Sequence, residues 1–138
     1  MPGHTPYQTA VFIPEEKTVF TSDNVVGNMP FTMQAMPYEW LESLQQLEKR
    51  DFNHLVPGHG DVGDKSYIPR MRATLQTWID AVKFAIGKGM SVTEAQDYVT
   101  QIKGIKLEPP DSRMTEVQRN GVARLYELLK QSIAGAAG

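Results

Sequence analysis

No cysteine occurs in the 138 residues, which excludes a disulfide framework and any thiolate metal site. Histidine is scarce as well. Only His4, His54 and His59 can supply imidazole nitrogen, so a metal site would need them together with Asp or Glu. No stretch approaches the roughly 18 apolar residues of a membrane span. With no signal-peptide pattern visible either, a cytoplasmic location away from the membrane is expected. An excess of one charge is also missing: 14 Lys and Arg face 16 Asp and Glu, for a formal net charge of -2. Such a balance gives no general electrostatic reason to bind nucleic acid or an anionic membrane. There is no phosphate-cradling glycine loop, and no serine sits in a nucleophile-elbow pattern. What remains is a chain with 41% hydrophobic and 22% charged residues, ordinary values for a globular domain with a real core.

The amino-terminal part reads as short strands with one helix. Thr9 to Pro14 and Lys17 to Thr21 are β-type runs separated by Glu15-Glu16, the pattern of a hairpin. Residues 24 to 36 read as a loop. Pro37 suits a first helical turn, and Trp40, Leu41, Leu44 and Leu47 follow at helical spacing. Phe52 to Val56 is a brief strand, with Tyr38 and Trp40 expected to pack the helix on the sheet. Beyond about residue 65 the chain turns helical. Met71, Leu75, Trp78, Ile79, Val82 and Ile86 form one stripe, closed by Gly87 and Gly89. Ser91-Val92-Thr93-Glu94 and Thr115-Glu116-Val117-Gln118 both read as capping boxes, with a linker over 104–112 between the helices they open. The last stripe is Val122, Leu125, Leu129 and Ile133, and the tail from Ala134 is expected to fray. The expected class is α+β: a β-hairpin and a further strand with packed helices, then a helical carboxyl-terminal region, divided as 1–64 and 65–138.

Three turn-like motifs carry the polar chemistry: Gly3-His4-Thr5-Pro6, Phe20-Thr21-Ser22-Asp23 and Pro57-Gly58-His59-Gly60. Singly, each has an ordinary explanation. His4 is a turn histidine near a terminus, and Asp23 is a turn or cap residue. The glycines beside His59 allow close approach and positive φ, so that turn can aim its ring. Together, two imidazoles and a carboxylate at the ends of apolar runs are the donors a borderline divalent cation needs. His54 reads as a surface or strand-end residue. Asp61 and Asp64 fit either outer-sphere acceptors or a solvated turn.

The three motifs and their order resemble the carboxyl-terminal half of the metallo-beta-lactamase superfamily, whose His-x-His-x-Asp-His motif is absent from this sequence. The resemblance covers roughly residues 2 to 64. It implies half of an α/β sandwich and metal-ligand roles for His4, Asp23 and His59, with Asp23 bridging. It further implies zinc or another divalent metal, one ion or none in the chain by itself, and a small-molecule substrate in the parent enzyme. Two positions depart from the family pattern, Tyr7 and Ser22, both often glycine there. The resulting expectation is a truncated metal-dependent hydrolase fragment acting on an ester, thioester, lactone, amide or phosphoester bond, impaired on its own. The alternative is a non-catalytic structural or oligomerisation module that keeps vestigial motifs. A half sandwich would expose an apolar sheet face, with Val11, Ile13, Val19 and Phe20 as candidates. Rearranged carboxyl-terminal helices could cover that face; otherwise a homodimer, or the missing amino-terminal half, is the expected partner.

Overall fold

A computed structural model describes residues 1–136. The chain divides into two compact units: Met1–Pro30 with Ala35–Leu75, and Phe31–Gln34 with the chain from Gln76 onward.

In the first unit, β1 (Val11–Ile13) and β2 (Thr18–Phe20) pair antiparallel, with Phe12 opposite Val19. The connection is a 3-10 turn over Pro14–Glu16 that ends at Lys17 with φ 45°. α1 (Pro37–Glu48) starts at Pro37, as the missing N–H of proline favours. It leads to β3 (His54–Val56), which pairs parallel to β2 with Val19 opposite Leu55. A parallel pair needs such a crossover, since a tight turn cannot reverse the chain twice. α1 buries Trp40, Leu44 and Leu47 against Val19, Leu55, Phe52, Ile68, Met71 and Leu75. Tyr38 differs from expectation: it is exposed, one helical step away from the buried stripe. The α+β class is as the sequence predicts.

β1 is exposed along its whole length, whereas alternation along β2 decides which apolar residue faces water. Val11, Ile13 and Phe20 are exposed, and Val19 is buried at 1%. Val19 thus leaves the set of expected exposed residues, because it points to the opposite side of β2 from Phe20 and meets Leu55.

α2 (Tyr67–Gly87) gives its first turns to this unit and the remainder to the second. Its end is a Schellman closure: Gly89 N–H donates to Ile86 O at 3.0 Å and Met90 N–H to Ala85 O at 3.1 Å. Gly89 takes φ 74°, which a residue with a side chain adopts at a cost. α3 (Val92–Val99) opens on the expected capping box, with Ser91 Oγ accepting from Glu94 N–H and Glu94 Oε2 accepting from Ser91 N–H at 2.7 Å. α4 (Ser112–Ala136) starts three residues earlier than Thr115. Asp111 Oδ1 accepts the Met114 N–H at 3.0 Å and so caps the helix. The Thr115–Gln118 box is not formed: Thr115 Oγ1 donates to Asp111 O at 2.7 Å, and buried Gln118 donates to Ile105 O at 2.6 Å. Val122, Leu125 and Leu129 are buried, whereas Ile133 is exposed. Helix persists through Ala134–Ala136, where fraying was expected, and the last two residues of that tail lie outside the described ones.

The Ser91 hydrogen bonds hold the exposed Glu94 carboxyl below the ordinary glutamate range. A depressed acid contributes stability above its unfolded pKa of about 4.3 and loses it as pH falls through the lower folded value. Wild type is therefore expected to exceed Glu94→Gln in urea midpoint at neutral pH. The gap should close below the folded pKa, and a gap independent of pH would refute the charged cap.

Candidate metal centre

The three motif residues are carried by elements of the first unit. β2 ends at Phe20, and Thr21 N–H donates to Val56 O at 3.0 Å, extending the parallel pair into the ligand turns. Ser22–Asn24 then form a 3-10 turn that lifts Asp23 off the strand end. Ser22 has φ 50°, in the left-handed region that favours glycine, and its hydroxyl accepts from the Gln8 amide. This explains why a glycine suits that position. The Pro57–Gly60 turn leaves β3 and docks on the segment after Asp23: Gly58 N–H donates to Val25 O at 2.9 Å, and Gly27 N–H to His59 O at 2.8 Å.

The amino-terminal turn is tied down rather than loose. Gly3 O accepts Met36 N–H at 2.8 Å, and Ser43 Oγ donates to Pro2 O at 2.7 Å. Asn24, 1% exposed, is the hub: its Oδ1 accepts His4 N–H at 2.9 Å and its Nδ2 donates to Met1 O at 3.0 Å. Its own carbonyl accepts the Trp40 indole N–H at 2.9 Å, and the His4 ring stands edge-on to Trp40 at 5.9 Å. A side chain on Gly3 would strike Asn24 and approach Trp40 Cδ1 to 2.8 Å. Sequence reasoning missed Asn24. Its only local signal is an Asx residue in the turn just after the candidate ligand.

Asp23 sits between the two imidazoles. Its Oδ2 is 3.6 Å from His4 Nε2, and its Oδ1 is 3.4 Å from His59 Nε2. Side-chain exposure runs from 19% for His4 through 30% for Asp23 to 55% for His59, so the group forms a rim open to solvent on the His59 side. A tetrahedral ion with bonds of about 2.0–2.1 Å holds its donors roughly 3.4 Å apart, and each pair has nearly that spacing. The two rings address different carboxylate oxygens, however. Among the described residues no group of three His, Cys, Asp or Glu is placed to hold one metal ion. The fit is therefore pairwise: one imidazole with one carboxylate oxygen, twice, and neither pair alone completes a coordination sphere.

The other candidates separate from the group. His54 is exposed on β3. Tyr7 is 92% exposed. Asp61 offers its backbone carbonyl to Tyr67 Oη at 2.8 Å. Asp64 is exposed; hydrogen bonds from Ser66, helped by the charge of Arg70, hold its carboxyl below the usual carboxylate range.

A beta-lactamase-like protein 2 homolog from Caenorhabditis elegans is 30% identical over 64 residues, 46% of this chain and 21% of that protein. The DIM-1 metallo-beta-lactamase superposes with a TM-score of 0.51 at 26% identity, covering 55% of this chain and 38% of that one. This chain is related to the metallo-beta-lactamase superfamily. A double mutant of the sec-alkyl sulfatase PisA1 shares the fold over 91% of the metallo-beta-lactamase-like chain and 22% of its own length, with a TM-score of 0.62 at 15% identity. No family model matches the sequence. The metallo-beta-lactamase-like chain spans about a fifth of the curated relative (21%) and 38% of the solved lactamase. No helix among its described residues is long and apolar enough to cross a membrane.

Proposed function

We propose that this chain is a truncated part of a metal-dependent hydrolase, contributing His4, Asp23 and His59 as ligands for zinc or another divalent cation. The observation that carries the reading is the Asp23 carboxylate held between two imidazole Nε2 atoms, one at each oxygen. A divalent ion bound there would supply Lewis acidity to a scissile ester, thioester, lactone, amide or phosphoester. The protein's own part is orientation. Asn24 and Trp40 fix the His4 turn, and the glycines of the Pro57–Gly60 turn let His59 approach Asp23. Because each imidazole–carboxylate pair is incomplete as a coordination sphere, the remaining donors come from a missing amino-terminal half or from another chain, and the isolated chain is impaired.

A second reading is favoured by the exposed apolar face of Val11, Ile13 and Phe20: a non-catalytic module whose sheets pair in a homodimer. One experiment separates the two. Zinc is titrated into metal-free protein by calorimetry, with light scattering on the same sample. The ligand reading expects stoichiometric uptake that Asp23→Asn weakens by more than about a hundredfold, beyond what changes around the ligands cost. Zinc uptake unaffected by Asp23→Asn would defeat it. No uptake, together with a zinc-independent dimer, would leave the module standing.

A further inference from the structure

Next to the Pro57–Gly60 turn lies a cleft of about 200 Å³ whose lining includes Val26, Gly27, Asn28, Arg70, Met71 and Thr74. It shares a wall with the candidate metal centre, since Gly27 N–H is bonded to His59 O at 2.8 Å. Val26 and Met71 are core residues, 5% and 3% exposed, so each offers the cleft a small apolar contact within a lining of mixed polarity. Gly27 adds no side chain, and one there would meet Gly60 Cα at 3.4 Å. The polar groups are the exposed Arg70 and Asn28 with Thr74. Arg70 lies over the Tyr67 ring at 4.7 Å. That ring is anchored by the Tyr67 Oη bond to Asp61 O at 2.8 Å.

Second to the Ser66 hydrogen bonds, the guanidinium charge lowers the pKa of the Asp64 carboxyl, but it forms no close ion pair with it. Among the described residues the ion pairs involve His4, Lys17, His59, Arg72 and Arg119, not Arg70. Asp64 instead accepts the Ser66 N–H on Oδ1 at 2.8 Å. An arginine braced on an aromatic face at a small cleft of mixed polarity suits an oxyanion, because its planar fork binds carboxylate, sulfate or phosphate through paired N–H groups. The volume sets the body of the ligand: about 150 Å³ accommodates a benzene ring.

We propose that this cleft binds a small organic anion, with Arg70 on its oxyanion group and Val26 and Met71 against its apolar part, and that Arg70 thereby sets substrate specificity. The specificity clause rests on the hydrolase reading above; anion binding itself does not. Carboxylates, sulfate esters and phosphate esters share this chemistry. Benzoate, phenyl sulfate, phenyl phosphate and neutral benzyl alcohol distinguish them as NMR titrants of the full chain. The three anions are expected to shift the amide signals of Gly27, Asn28 and Thr74, and the tightest identifies the preferred head group. Arg70→Gln should weaken them about tenfold or more, with Arg70→Lys retaining part of the affinity. Calorimetric zinc affinity should be equal in wild type and Arg70→Gln. Benzyl alcohol binding as tightly as the anions, anion binding unchanged in Arg70→Gln, or shifts confined to another surface would overturn the proposal. Absence of zinc binding in wild type with an intact anion response would overturn only the metal reading and the specificity clause.

Discussion

Trp40→Ala is expected to lower the free energy of unfolding by about 3–5 kcal/mol, the range for truncating a buried aromatic. Trp40 is fully buried and packs among the core residues of the first unit. A domain of ordinary stability, about 5–15 kcal/mol, would lose a large fraction of it. The effect should reach the candidate metal centre, because the indole N–H holds the Asn24 carbonyl and the ring edge meets His4. Trp40→Phe separates the two contributions. It keeps most of the ring volume but leaves a carbonyl unpaired, at about 1–3 kcal/mol. Urea denaturation followed by circular dichroism, with histidine ring signals by NMR, measures both. A loss under about 1 kcal/mol for Trp40→Ala would mean that this ring does not close the core.

Gly58→Ala adds one methyl group and is expected to do disproportionate harm. That methyl would run into Asp23 Oδ1 and lie 2.8 Å from both the Asp23 nitrogen and the Ser22 carbonyl carbon. Backbone cannot move aside as a flexible side chain can, so the Asp23 turn or the His59 turn must shift. Overpacking of this kind costs about 1–3 kcal/mol, occasionally more, and the displaced carboxylate should lose its imidazole contacts. Gly87→Ala is the control. Nothing lies within 4 Å of a methyl group there, and glycine-to-alanine change in a helix is neutral to stabilising by roughly 0.5–1 kcal/mol. Unaltered His4 and His59 ring signals in a stable Gly58→Ala protein would show that the turn is not pressed against Asp23.

The two glycines beside His59 show how far local sequence carries. Pro-Gly-His-Gly marks a turn needing small residues, yet the residues are needed for different reasons. Gly60 takes φ 105°, a backbone requirement, whereas the requirement at Gly58 is spatial and comes from Asp23. The first kind belongs to the turn itself. The second depends on a residue 35 positions earlier and leaves no local trace. Similarly, the Ser91–Glu94 box formed because nothing competed, while Thr115–Gln118 was displaced by Asp111, a stronger N-cap directly after Pro110.

The residue pattern by itself determined the order of strands and helices, the buried stripe of α1, and a donor repertoire of three imidazoles without thiol. These depend on periodicity and residue chemistry over a few positions. Tertiary structure alone decided that the His4, Asp23 and His59 side chains meet, which carboxylate oxygen faces each ring, that Asn24 ties the first turn, and that Val19 is buried while Phe20 is not. The reason is that these follow from long-range contacts, the parallel register of β2 on β3 for Asp23 and His59 and the Asn24, Met36 and Ser43 hydrogen bonds for the His4 turn, rather than from any short segment.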